Sequence, residues 1–267
     1  MKYSIQIKTA LRISLGLATI LLVIYWFAHT PSGSIGKLHA IGYSVCHQTP
    51  SHSLKIGNQT FPLCSRCLGL YLGNIIGLLV LFKQGKKSGI PAKKYMAIYA
   101  FFVIAWLVDG GNSYLNGLLG HAPLYPPNNT LRLITGLGMG LSMSTAIVIL
   151  FNLVTWQKKE KVSPIRFFPP LLLILFIAAI LVPVILVENE ILMTIFAYLS
   201  TGMIVIVLTA LYTIVWIIFL QKENSFNHTK EMVLILNAGF FCALMQITLL
   251  DAVRFALTGT WASFSFY

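Results

Sequence analysis

Seven long apolar runs divide this chain, and short polar segments separate them. Each run holds roughly 18 or more residues with few charges, which is enough for a helix to cross a hydrocarbon core of about 30 Å. We therefore predict an all-α protein, a polytopic membrane helical bundle with a single transmembrane domain over residues 1–267. The predicted helices are 10–28, 64–82, 95–110, 131–154, 168–187, 191–220 and 231–258.

The composition agrees with a helical membrane protein. Hydrophobic residues make up 57% of the chain and charged residues 10%, whereas about 25% of residues are charged in a typical soluble domain. A β-barrel is excluded because its strands alternate in polarity over about ten residues, while these runs are apolar throughout. We expect the first run to be an uncleaved anchor, since no small-x-small cleavage site follows it.

The net charge of +12 is unevenly divided between the two ends of the predicted helices. The N-terminus and the segments 83–94, 156–167 and 221–230 contain 14 of the 19 Lys and Arg residues. Cytoplasmic loops are enriched in these residues. We therefore predict a cytoplasmic N-terminus and an exoplasmic Tyr267 in the cell membrane. The basic loops then serve as topology signals beside membrane lipids, and no nucleic-acid partner is expected.

Residues with reactive or metal-binding side chains collect on the predicted exoplasmic side. Five of the six His, three of the four Cys and both Asp lie there. Topology rules account for the distribution of Lys and Arg but not for that of His, Cys and Asp. We therefore predict an outward-facing site that includes the exoplasmic loop 29–63, the longest loop of the chain.

Cys46 and His47 in this loop, with Cys64 and Cys67 at the start of the second helix, allow three interpretations. Thiolates and an imidazole suit a tetrahedral Zn²⁺ site, in which His52 is a second candidate for the histidine ligand. Four protein ligands would make that site structural, and three ligands plus a water would make it hydrolytic.

The second interpretation is a redox pair. Cys64 and Cys67 would form a dithiol whose thiolate is stabilised by the helix N-terminus and by Arg66, with Cys46 as the exchange partner. In the third, one structural disulfide and a spare thiol are inert. Spacing alone does not decide among them. Cys242, in the middle of the last helix, is expected to be a packed core residue.

Small residues predict that the second and fourth helices pack closely. They recur at four-residue spacing, which allows two backbones to approach each other, and the packing would carry Arg132 toward the cysteines. The residues in question are Gly69, Gly73 and Gly77 in one helix and Arg132, Gly136, Gly140 and Ser144 in the other.

Charged residues within the predicted helices need a partner or a function. Asp251 and Arg254 are three residues apart and are expected to pair with each other. Asp109 is expected to pair with Arg132. We predict that these four residues, with Arg66, surround the mouth of the bundle as candidate catalytic residues. Two Arg beside a metal or thiolate suit an anionic lipid or envelope substrate. The alternative is that the charges only brace the helix ends.

Three sequence motifs carry a resemblance to a known family. Cys-His-Gln at 46–48, Pro-Leu-Cys-x-Arg-Cys-x-Gly-x-Tyr-x-Gly at 62–73 and Asn-x-x-Arg-x-x-Thr-Gly at 129–136 resemble a family of prokaryotic integral membrane proteins of unknown function. Members tend to carry Arg-Ser where this chain has His52-Ser53, which favours His47 over His52 as a ligand. The resemblance implies importance for Cys46, His47, Gln48, Cys64, Arg66, Cys67, Gly69, Tyr71, Gly73, Asp109, Asn129, Arg132 and Gly136.

These patterns lead to three functional hypotheses. The first is metal-dependent chemistry, with zinc as the cofactor, on a lipid or envelope substrate. The second is a membrane thiol–disulfide oxidoreductase that uses Cys64 and Cys67. The third is a non-catalytic transporter or assembly factor with a structural metal site.

Overall fold

The computed structural model describes residues 2–166 and 168–262, with the backbone alone for residues 2–8. Within these ranges, seven helices are long and apolar enough to cross a membrane, which confirms the predicted all-α membrane bundle. The predicted exoplasmic Tyr267 lies outside the described residues. The α-helices are α1 (Lys2–His29), α2 (Ser34–Tyr43), α3 (Ser65–Phe82), α4 (Lys93–Leu119), α5 (Asn129–Thr155), α6 (Phe168–Leu186), α7 (Glu190–Phe219) and α8 (Val233–Thr258).

The segment 29–63, predicted as a loop, is largely folded. It contains α2, a 3-10 turn at Pro50–His52 and a small antiparallel hairpin of β1 (Lys55–Ile56) and β2 (Gln59–Thr60). The fully buried Phe61 joins the main apolar core. The segment packs against the ends of α7 and α8. We call the end of the bundle that it covers the Cys/His end.

Glycines bring α3 and α5 into close contact, as predicted. A Cβ atom at Gly69 would lie 2.3 Å from the carbonyl oxygen of Leu133, and one at Gly136 would lie 2.2 Å from that of Arg66. Any larger residue would force the two backbones apart. The first turns of both helices are therefore held side by side at the Cys/His end.

The predicted end of α4 at residue 110 is wrong, because the helix continues to Leu119. Polar residues after Val108 suggest a helix end, but Asp109 and Asn112 are buried. The side chain of Asn112 donates to the carbonyl oxygen of Tyr125 at 2.8 Å and accepts from a nearby backbone N–H. Tertiary partners thus satisfy these polar groups inside the bundle. The helix ends at Gly120, whose φ of 74° is left-handed.

Candidate functional site

The two parts of the cysteine sequence meet at the Cys/His end. The Sγ atoms of Cys46 and Cys64 and a ring nitrogen of His47 lie within 4.8 Å of one another. Cys46 follows α2, and Cys64 is the residue that precedes the first turn of α3. In a tetrahedral zinc site with Zn–S distances near 2.3 Å, ligand atoms lie about 3.5–4 Å apart. These three residues therefore fit a zinc ion after a small inward movement.

The Sγ atom of Cys46 accepts two hydrogen bonds from the backbone. The donors are the N–H groups of Gln48, at 3.5 Å, and Cys64, at 3.2 Å. Bonds of this kind stabilise a thiolate. Gln48 adopts a φ of 56°, and its side chain donates to the carbonyl oxygens of His39 at 2.9 Å and Pro62 at 2.8 Å. The turn that carries Cys46 is thereby fixed against the segment that carries Cys64.

The ring of His47 is oriented by its neighbour Thr49. Its Nδ1 atom lies 2.8 Å from the hydroxyl oxygen of Thr49 and 3.0 Å from the backbone nitrogen of the same residue. Because Nδ1 accepts from the backbone N–H of Thr49, the proton of the neutral ring lies on Nε2, and a metal bound at Nε2 would displace that proton. The ring of His52 stands edge-on to that of His47, with centroids 5.3 Å apart. Burial, together with the charge of Arg132, lowers the pKa of His52 to about 4.

Cys67 lies one turn into α3 and is not part of the three-residue set within 4.8 Å. Its side chain interacts with those of Cys46 and Cys64. These contacts give the thiols different pKa values. Hydrogen bonds from Cys46 and Cys67 lower the pKa of Cys64 well below its usual value. At Cys46 the bond to the side chain of Cys64 outweighs the backbone N–H bond and raises the pKa of the thiol to about 12. A divalent cation would relieve the repulsion between adjacent thiolates.

All four cysteines are free thiols in this structure, so the disulfide of the third interpretation is not formed here. Cys242 is half-buried in α8, where its sulfur accepts a hydrogen bond from the indole of Trp216 at 3.4 Å. This placement agrees with the packing role predicted for it and separates it from the other three cysteines.

Asp109 pairs with Arg66 and not with Arg132, so that prediction is wrong. Nε of Arg66 donates to Oδ2 of Asp109 at 2.9 Å, and a second guanidinium nitrogen donates to the same oxygen. The hydroxyl groups of Tyr125 and Thr135 donate to the carboxylate as well. Arg66 is the partner because it lies in the first turn of α3, which the close α3–α5 packing brings beside Asp109.

Arg132 lies nearby but contacts different groups. It is 4% exposed, and its Nη1 atom donates to Oδ1 of Asn129 at 2.9 Å. Its Nε atom has no hydrogen-bond partner among the described residues. The guanidinium interacts electrostatically with Arg66, Asp109, Cys64 and His52, although it forms no ion pair with Asp109. The structure therefore brings Arg132 to the cysteine cluster, as the helix packing predicted.

The predicted ion pair between Asp251 and Arg254 is not formed within the described part of the chain. Oδ2 of Asp251 accepts a hydrogen bond from the indole of Trp26 at 2.9 Å. Arg254 instead donates to the carbonyl oxygens of the segment that carries the ligands. Those acceptors are Tyr43 and Cys46, both at 2.6 Å, and His47, at 3.3 Å. Contacts with residues that are distant in sequence therefore replace the pairing expected from the spacing of three residues.

Sequence reasoning missed Trp26, Tyr43 and Tyr125. The ring of Tyr43 packs against the guanidinium of Arg254, whose central carbon lies 3.7 Å from the ring centroid. Aromatic residues with a polar tip are common at membrane boundaries, so their residue type alone does not single them out. To identify these three residues from the sequence, one would need to know which helices are neighbours.

Comparison with known proteins places this site in a family. Residues 46–146 match the family described as predicted membrane protein, DUF2085. An uncharacterised protein of Methanocaldococcus jannaschii is 31% identical over 123 residues, which cover 45% of this chain and 72% of the relative. An uncharacterised protein of Methanothermobacter thermautotrophicus is 31% identical over 113 residues, which cover 41% of this chain and 90% of the relative. No solved structure matches this chain.

The matched region begins at Cys46, includes α3 and α4, and ends at residue 146 within α5. It therefore contains the cysteine cluster and the Arg66–Asp109 pair, whereas α6, α7 and α8 lie beyond it. Because most of each relative is covered at this level of identity, the chain belongs to the DUF2085 family of predicted membrane proteins.

Proposed function

We propose that this protein is a multi-pass protein of the cell membrane that binds Zn²⁺ through Cys46, His47 and Cys64. The observation that carries the proposal is the distance of at most 4.8 Å between the three ligand atoms. The backbone N–H bonds to Cys46 and the orientation of His47 by Thr49 support it. Ordered neighbours of this kind hold ligands ready for a metal.

We further propose that the site faces the exoplasmic side and acts on a lipid or envelope substrate. The distribution of Lys and Arg supports this orientation, because 14 of 19 lie in the N-terminus and the loops of the opposite end. With three protein ligands, bound zinc supplies Lewis acidity at an open fourth position. Arg66 and Arg132 would then hold an anionic substrate beside that position. Cys67 as the fourth ligand would close the site.

A direct test is the metal content of the intact chain, purified in detergent without chelators. We expect about one zinc per chain, lost in Cys64→Ser and in Cys46→Ser. Cys242→Ser is the matched control, because it removes a thiol outside the cluster and is expected to keep the metal. Wild-type protein that stays free of zinc after reduction and incubation with Zn²⁺ would overturn the proposal.

Cys67→Ser separates the two forms of the site. A variant that keeps its zinc supports three protein ligands and an open position. A variant that loses it indicates a closed, structural site. If the site is open, we expect the protein to release products from membrane lipid extracts. This release should require zinc, should be lost in Cys64→Ser and should persist in Cys242→Ser.

The arrangement of the thiols favours a second candidate, a thiol–disulfide oxidoreductase. Cys46, Cys64 and Cys67 are free and in contact, and Cys64 lies at the N-terminus of α3, where a thiolate is stabilised. The Cys64–Cys67 dithiol would reduce a substrate disulfide to two thiols and become a disulfide itself. Titration of free thiols in metal-free protein tests this: reversible loss of two thiols with a disulfide substrate supports it, and no loss excludes it.

A further inference from the structure

Arg132 is a buried cation that forms no ion pair within the described part of the protein. A guanidinium has five N–H donors, and one of them donates to Asn129. Nε is buried without a hydrogen-bond partner within residues 2–166 and 168–262. A buried charge is costly unless it is paired. Asp109 and Cys64 favour the charge of Arg132 from a distance. Neither forms a hydrogen bond with its guanidinium within the described residues, so the unpartnered Nε is left for an anion in direct contact.

The neighbouring Arg66 shows what a satisfied guanidinium looks like at this end of the bundle. It forms the one ion pair found among the described residues, with Asp109, and it also donates to the hydroxyl of Ser113 at 3.0 Å. Asp109 is thus already engaged on its Arg66 side. Of the two arginines beside the cysteines, Arg132 is the one with a buried donor that has no partner among the described residues.

The surroundings of Arg132 are reachable, and they combine basic side chains with the carboxylate of Asp109, which Arg66 already neutralises. Arg132 lies in the first turn of α5, where backbone N–H groups and the helix dipole favour an anion. His52 and His47 are adjacent and half-buried, as is Arg66. An anion that reaches these partly exposed side chains also reaches the Cys/His cluster.

We propose that Arg132 is the centre of an oxyanion-binding subsite that takes a phosphate-type group beside the Cys/His cluster. The guanidinium supplies paired N–H donors that match two oxygens of such a group, and the His52 ring supplies a further donor. This inference deepens the proposed function, on which it rests for the role of the neighbouring metal, because it names the chemical class of the ligand.

The same chemistry is found in a free phosphate ion and in the headgroup of an anionic lipid. The experiment therefore has two arms on the intact protein. In the first, inorganic phosphate is titrated against protein in a zwitterionic detergent by calorimetry. In the second, protein in phosphatidylcholine nanodiscs is compared with protein in nanodiscs that contain phosphatidic acid, and thermal stability is measured. Phosphate alone, the lipid alone or both would each support the subsite and identify its source.

The variant is Arg132→Gln, with Arg12→Gln as the matched control, since Arg12 is exposed on α1, away from the cysteines. Hydrogen bonds to charged groups contribute enough that we expect anion affinity to fall at least about tenfold in Arg132→Gln and to be unchanged in the control. Arg132→Lys, which keeps the charge but not the paired donors, should lie between. Equal affinity in wild type and Arg132→Gln, or no binding in either arm, would overturn the inference.

Zinc content, measured on the same samples, separates this inference from the proposed function. Arg132→Gln that keeps zinc but loses the anion supports the subsite. Wild-type protein without zinc that still binds the anion through Arg132 leaves the subsite standing and removes the metal proposal. Loss of zinc together with the anion in Arg132→Gln would overturn the subsite, because Arg132 would then be the counter-ion of the thiolates.

Discussion

Two regions meet at the Cys/His end, and each contributes one Asp and one Arg. In the α3–α5 region (helices α3, α4 and α5), Arg66 and Asp109 form an ion pair between two helices. In the α1–α8 region (helices α1, α2 and α8), the charges are used separately: Arg254 donates to backbone carbonyls near the cysteines, and Asp251 accepts one bond from Trp26. Oδ1 of Asp251 has no hydrogen-bond partner within the described ranges.

The difference shows that similar charges support the site in different ways. The α3–α5 region fixes the start of α3, and therefore Cys64, through an ion pair and glycine-mediated contact. The α1–α8 region fixes the backbone of Cys46 and His47 through Arg254. The ligand residues are thus held from two sides. The two Asp residues should consequently respond differently to the same substitution.

The largest expected difference is between Asp109→Asn and Asp251→Asn. Asp109→Asn leaves the mostly buried guanidinium of Arg66 without its carboxylate, and breaking a buried pair in this way costs about 3–5 kcal/mol of unfolding free energy. Asp251→Asn still accepts the bond from Trp26, so we expect a change within about 1 kcal/mol. Chemical denaturation in detergent measures both. Similar losses in the two variants would show that the regions do not differ as described.

The next prediction concerns the glycine contact between α3 and α5. Gly136→Ala places a methyl group where the carbonyl oxygen of Arg66 lies 2.2 Å away, so we expect a loss of about 1–3 kcal/mol or more. Gly202→Ala in α7 is the control, because nothing lies within 4 Å of the added atom, and alanine is the better helix former by about 0.5–1 kcal/mol. Equal thermal unfolding of the two variants would contradict the close packing.

The sequence predicts the parts of this structure that depend on local pattern. Helix length and the four-residue spacing of Gly69, Gly73 and Gly136 are properties of single helices, so the bundle and the α3–α5 contact were predicted correctly. Cys46 and Cys64 approach each other because the folded segment between them is short. The choice of ionic partners is a different matter: Asp109 meets a residue 43 positions away, and Asp251 meets one 225 positions away.

The ionic partners were predicted wrongly because they depend on the rotation and register of one helix relative to another. Arg132 and Arg66 lie at similar depth, and only the packing of α4 against α5 decides which of them reaches Asp109. The same packing explains the underestimated length of α4, since Asn112 would end a helix in water but is satisfied here by the backbone near Tyr125. Whether a polar side chain is buried depends on the tertiary structure, and the hydropathy of the sequence does not predict it.

Arg254→Lys tests the α1–α8 region with a smaller effect. Lysine keeps the positive charge but cannot bridge three carbonyls, so we expect a loss of about 1 kcal/mol. The local consequence should be clearer: hydrogen exchange at residues 43–48 should accelerate, while exchange in α4 stays unchanged. Zinc affinity should fall about tenfold, as is typical when a group that orients a ligand is altered. Faster exchange in α4 as well would show that the two regions are not independent supports.

The smallest expected effect is a pH dependence that arises from His39, in helix α2 of the α1–α8 region. Burial lowers the pKa of His39 below 6.5, and the hydrogen bond to the carbonyl oxygen of Thr60 opposes this only in part. The unfolded chain therefore binds the proton more readily than the folded one, so stability is full above pH 6.5 and falls as the pH drops below it. His39→Gln should flatten this fall relative to wild type, whereas substitution of the exposed His121 should leave it unchanged. A fall of the same size in His39→Gln would assign it to the other histidines of the Cys/His end.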